Sequence, residues 1–209
     1  GAFADKTSGI VYHDLTGSFP FMSYDGSICF FVLYHYESNA ILATPIAGLD
    51  DVSIFSAYKK YFEELTSKGF RPKLNIMDNQ ATRHIKKYLT TQDCKLQVVE
   101  PHNHRVNAAK RAIQTVMYMA CEFMIHVAMH WTEHGADNLS LWSLAVDHFS
   151  WLDNCIPQQG SGITPLKFLT RSKMDHRDLL RTHVWGCPVY VLELKLQVST
   201  FLSSTFGAD

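Results

Sequence analysis

Seven apolar residues stand in an unbroken row from Ile28 to Tyr34. Successive side chains of a strand point to opposite faces, so a continuous apolar row belongs to a strand covered on both sides. That row calls for a sheet with helices packed against it. It is also the longest such row in the chain and far short of the ~20 residues a membrane-spanning helix needs, so no membrane partner is expected. The first residues, Gly-Ala-Phe-Ala-Asp-Lys, have no apolar signal core, so no secretion signal is expected either. With 209 residues the chain has the length of one domain and an appendage. Its composition, 46% hydrophobic and 19% charged, excludes a disordered polypeptide.

The neighbouring segments extend that sheet. Gly9 to His13 reads as a short strand running into Asp14, and Ala40 to Ile46 as a third strand. Asp25-Gly26 is a hairpin signal between the first two, so the opening predicts an antiparallel meander. Asp50 and Asp51 stand where a helix cap belongs. Ile54, Tyr58, Tyr61, Phe62 and Leu65 come next at helical spacing, and Gly69 ends the helix. Lys73 to Met77 predicts a fourth strand ending at Asp78, Ala81 to Leu89 a second helix, and Leu96 to Val99 a fifth strand. A polar loop, His102 to Arg105, leads into a long helix from about Asn107. Its apolar stripe is Ala109, Ile113, Val116, Ala120, Met124 and Val127. Leu139 to Asn154 reads as another helix, Thr164-Pro165 as the start of a further one, and Trp185 to Leu192 as a late strand. Together these predict an α/β fold, a mixed five-stranded sheet flanked by helices with a C-terminal extension. Residues 1–8 read as a linker, 9–160 as the core, and 161–209 as a post-core helix, strand and divergent tail.

Charge and cysteine usage narrow the functions. A net charge of −1 excludes a general polyanion binder. Locally, Arg83, Lys86, Lys87, Lys95, Arg105, Lys110 and Arg111 face only Asp93 and Glu100, a basic stretch able to hold phosphates. The five cysteines contain no Cys-x-x-Cys pair, which disfavours a disulfide framework or zinc knuckle and predicts reduced, mostly buried thiols in an intracellular protein. His126, His130 and His134 fall one helical turn apart, with Glu133 beside them. Such spacing can bind a transition metal, but the Glu is not at the zincin position, and ordinary helix histidines are the favoured reading. No Gly-rich phosphate loop, nucleophile elbow or nucleotide fingerprint occurs.

Asp14 and Asp78 carry the chemistry. Each ends a predicted strand, where sites assemble in α/β sheets. If the two strands are neighbours, both carboxylates enter one crevice, and such oxygen ligands suit Mg²⁺ or Mn²⁺. His13-Asp14-Leu15-Thr16-Gly17-Ser18-Phe19-Pro20 resembles the opening aspartate segment of retroelement integrase cores, and Asn75-Ile76-Met77-Asp78-Asn79 resembles their second-aspartate motif. The stretch from Pro101 to Thr115 resembles the loop and helix that carry their third acid. Leu179-Leu180-Arg181, with Val184 to Leu192, is similar to the segment beyond the core in copia-type LTR retrotransposon polyproteins. The resemblance spans roughly residues 9 to 197, four motifs in order.

This resemblance to the integrase catalytic core of copia-type elements implies a ribonuclease-H-like fold and a polynucleotidyl transferase that works in cytoplasm and nucleus. It implies two divalent metals, Mg²⁺ or Mn²⁺, held by three acids. Its partners would be DNA, both element ends and target, and a second copy of the chain. By the same resemblance Asp14 and Asp78 are metal ligands, and Asn79, His104, Arg105, Asn107 and Arg111 contact DNA. The third acid is missing. The matching position holds Lys110, while strict counting of the family's interval selects Gln114, one turn further along the helix. Neither is a carboxylate. Glu100, ending the fifth strand, is the nearest substitute acid. The expectation is a copy that binds DNA and is catalytically impaired, with Lys110 standing in the site as a surrogate cation. The alternative is a non-catalytic, degenerate or domesticated module that binds nucleic acid or protein.

Overall fold

The apolar row becomes strand β2, Cys29–His35, in the computed structural model, which describes residues 9–78, 82–99, 108–131, 138–171 and 182–189. The other strands are β1 (Ile10–Leu15), β3 (Ala40–Ile46), β4 (Leu74–Met77) and β5 (Lys95–Val98). The helices are α1 (Asp51–Ser67), α2 (Arg83–Thr91), α3 (Ala108–His130), α4 (Trp142–Cys155) and α5 (Pro165–Thr170). Strand order is β3-β2-β1-β4-β5. β1, β2 and β3 pair antiparallel, while β4 joins β1 and β5 joins β4 in parallel. This is the mixed five-stranded sheet that the element order predicts.

β2 is apolar throughout because both of its faces are covered. Phe31 and Leu33 point to one side and meet Ile54, Tyr58, Phe62 and Leu65 of α1 and Ile85 and Leu89 of α2. Phe30 and Val32 point to the other and meet Ile113, Val116 and Ala120 of α3 and Val146 and Phe149 of α4. Burying one such side chain stabilises by roughly 1.5–3 kcal/mol. The β3 edge is closed by side chains of α4. Ser150 Oγ accepts from Ala43 N at 3.1 Å, and Asn154 accepts from Ile41 N at 3.2 Å while donating to Ile41 O at 2.8 Å. Otherwise those buried backbone groups would face the helix unpaired.

Local chemistry sets the element ends. Asp50 Oδ1 accepts from Val52 N and Ser53 N, both at 3.0 Å, and so caps α1. Gly69, at φ 86°, takes the left-handed turn that ends it. Thr82 and Thr164 cap α2 and α5. Cys29, Cys94 and Cys155 are buried, Cys187 half-buried and Cys121 exposed, and all five are free thiols. Burial pushes the Cys29 and Cys94 thiols up to about 11.

Three features differ from the sequence reading. Asp25-Gly26 does form a turn, with Gly26 N donating to Ser23 O at 2.9 Å, but it lies inside the long β1–β2 connection rather than in a tight hairpin. No strand forms over residues 185–189. Gly186 sits at φ 76° and Pro188 has no N–H, which breaks a ladder, while residues 190–192 lie outside the described residues. Helix α3 is long and apolar enough to cross a membrane by length and composition, although no unbroken apolar row shows it. Its inner face, Ala109, Ala112, Ile113, Val116, Ala120 and Val127, is buried.

Candidate functional site

The parallel pairing of β1 with β4 builds the site. Tyr12 pairs with Ile76 and His13 with Met77. One step further along both strands sets Asp14 beside Asp78, on strands ~4.8 Å apart. Asp14 pairs across β2 with Val32, whose side chain faces α3 and α4, so the Asp14 carboxylate faces α3 as well. Asp14 and Asp78 line one small cavity with His13, Leu15, Ile54 and Met77. Asp14 is buried, and its Oδ1 accepts from Leu15 N at 2.9 Å.

Lys110 enters from the first turn of α3. Its Nζ donates to Asp78 Oδ2 at 2.8 Å, with the two side chains 34% and 20% exposed. Gln114, one turn on, lines an adjoining cleft with Asp14, Lys110 and Thr16 to Phe19 of the β1–β2 connection. Lys110, at the motif-matched position, and Gln114, which strict counting selects, therefore both face the cleft, and Lys110 is the one bonded to an aspartate.

A layer beneath supports the carboxylates. His13 Nδ1 lies 3.1 Å from Asn75 Oδ1, an oxygen that only accepts, so the neutral tautomer protonated on Nδ1 fits the contact. Its ring packs 5.0 Å from Tyr58 and 5.5 Å from Phe31. Burial pulls the imidazole down to about 4, and the Asn75 hydrogen bond opposes this only in part. His13 is thus a neutral core residue at pH 7, one place away from the site. Sequence reasoning did not assign it that place, although His13 shares the strand parity of buried Val11.

Among the expected DNA contacts, Arg111 is exposed on α3, one residue round the helix from Lys110. Asn79, His104, Arg105 and Asn107 lie outside the described residues, as do Glu100 and His134. The basic stretch divides. Lys110 is engaged in the crevice, while Arg83, Lys86 and Lys87 on α2 and Lys95 on β5 are exposed.

The donor set does not fit a two-metal centre. Among the described residues no cluster of three or more His, Cys, Asp or Glu side chains is placed to hold a metal ion. The ammonium of Lys110 also stands where a cation would approach Asp78. At ~5 Å, one positive charge and one dication repel by several kcal/mol even at a dielectric constant of ~20.

No protein-family model matches the chain, and no curated protein matches it significantly. Solved structures do. The magnesium complex of the HTLV-2 integrase catalytic core domain, in its trimeric form, covers 77% of this chain with 95% of its own length, at TM-score 0.52 and 14% identity. The catalytic core domain of BIV integrase covers 78% with 95% of its own, at TM-score 0.53 and 11% identity. A chain of the simian T-cell lymphotropic virus intasome, in complex with PP2A regulatory subunit B56 gamma, covers 79% at TM-score 0.56 and 14% identity, with 55% of its own length matched. The fold is the ribonuclease-H-like fold of retroviral integrase catalytic cores.

Proposed function

We propose that this chain is a DNA-binding integrase core of a copia-type retroelement in which Lys110 replaces the third metal-binding acid. The ion pair from Lys110 to Asp78 at 2.8 Å, inside an integrase-type fold, carries this reading. In the family, Mg²⁺ or Mn²⁺ ions at such a site stabilise the attacking and leaving oxygens of a phosphoryl transfer. Here Asp14 and Asp78 are left from that centre, and the amine neutralises the acid that a metal would need. The partner is DNA, element end and target, reached through Arg111, which follows Lys110 on α3, and through Asn79, His104, Arg105 and Asn107, which the family resemblance assigns to DNA contact. The chain pairs as a dimer, in line with the dimeric form in which the HTLV-2 core is described. It acts in cytoplasm and nucleus, without a membrane.

Duplex DNA binding followed by fluorescence anisotropy, with strand transfer in Mn²⁺, tests the reading. Affinity is expected to fall by at least about tenfold between about 50 and about 200 mM salt, since phosphate contacts release counterions. Strand transfer is expected to stay at background in the native chain. Robust metal-dependent transfer by the native chain would refute the impairment. A second reading, a degenerate module whose partner is a protein, is favoured by the same amine, and absence of any DNA binding would decide for it.

A further inference from the structure

The crevice sits at the N-terminal end of α3. At the other end, His126 and His130 stand one turn apart on the same helix face. Their ring centroids are 4.4 Å apart with the planes at 49°, and both residues are exposed. The Trp131 ring packs 5.2 Å from His126 and 6.2 Å from His130, which restricts the rotamers of both. We propose that His126 and His130 form a two-imidazole chelate for a late first-row divalent cation, Ni²⁺, Cu²⁺ or Zn²⁺.

Neutral imidazole nitrogen binds such ions at ~2.0–2.1 Å, and two rings one turn apart can sit on either side of one ion. These borderline-soft cations prefer nitrogen donors, whereas Mg²⁺ and Mn²⁺ prefer oxygen or bind nitrogen weakly. The pair also occupies the last turns of a 23-residue helix, where the unsatisfied carbonyls and the negative end of the dipole favour a positive ion. Water completes the coordination, so no third side chain is required. His134 comes one turn later in sequence and lies outside the described residues. A cation held by both rings ties the last two turns of α3 together. Because it binds the helical state better than the unfolded chain, it stabilises the fold by mass action.

Titration of Ni²⁺ into the full chain tests the proposal. Ni²⁺ is preferred to Cu²⁺ because the free thiols would reduce the latter. Binding is read by calorimetry and by quenching of tryptophan fluorescence, with Trp131 beside the ion. The native chain is expected to take up one Ni²⁺ saturably, and His126→Ala and His130→Ala each to weaken it by about tenfold or more. A register control, Ala128→His combined with His130→Gln, keeps the number of imidazoles but moves one off the shared face, and is expected to lose binding equally. Mg²⁺ is expected to produce no quenching. Positions 126, 128 and 130 are all exposed, and circular dichroism confirms that each variant keeps its helices. Unchanged affinity in either single variant, survival of binding in the register control, or absence of saturable uptake by the native chain overturns the proposal.

Discussion

His13 and Lys110 approach Asp14 from opposite sides of the sheet, one as a neutral ring in the core and the other as an amine in the cleft. The His13 value of about 4 lies below the ~6.5 of an unfolded histidine. The unfolded chain therefore takes up a proton through that window which the folded chain refuses. Stability is expected to fall as pH drops from about 6.5 to about 4, by up to about 3 kcal/mol from this residue, and to be insensitive to it above that range. Urea denaturation at several pH values checks this, and His13→Phe should flatten the slope. An equal slope in the variant would show that other groups dominate. The aspartates are legible in the sequence because each stands within one residue of a strand's end, Asp14 before Leu15 and Asp78 after Met77. His13 is harder to read, since a polar side chain on a buried parity is visible only once both faces of the strand are known to be covered.

Elements are legible in the sequence where a local signal fixes them. The Asp50 cap, the Gly69 stop and the Thr164-Pro165 start all rest on short-range hydrogen bonding or backbone preference. The closure of β3 by α4 is not legible, because Ser150 and Asn154 are over 100 residues away from the backbone they bind. Asn154→Ala leaves the buried Ile41 N–H without its partner, while Ile41 C=O keeps the Ser150 Oγ donor at 3.0 Å. Its expected cost is about 1–3 kcal/mol, read from the denaturation midpoint, and a neutral effect would mean that water replaces the amide. The strand expected near Trp185 fails for a comparable reason. Trp185 stacks on Phe123 of α3, and a Cβ on Gly186 would collide with Val127 Cγ2, so tertiary packing fixes a turn within an apolar segment that reads as a strand. Gly186→Ala, strained by its positive φ as well, is expected to loosen this segment and to speed amide exchange in residues 182–189. Unchanged exchange there would show that α3 accommodates the methyl group.

At the scale of the molecule, the order of strands and helices carries the fold, and the parallel register of β1 with β4 carries the site. The similarity to retroviral integrase cores at 11 to 15% identity reflects that architecture and reaches no single residue. At the crevice the amine of Lys110 is bonded to Asp78. Under the proposed function, Lys110→Glu would supply a third acid. Calorimetric titration of Mn²⁺ into the native chain, Asp14→Asn and Lys110→Glu measures this most directly. The native chain is expected to show no Mn²⁺ uptake that depends on Asp14, and Lys110→Glu to gain a saturable site. Two Mn²⁺ ions bound by the native chain and lost with Asp14→Asn would contradict this.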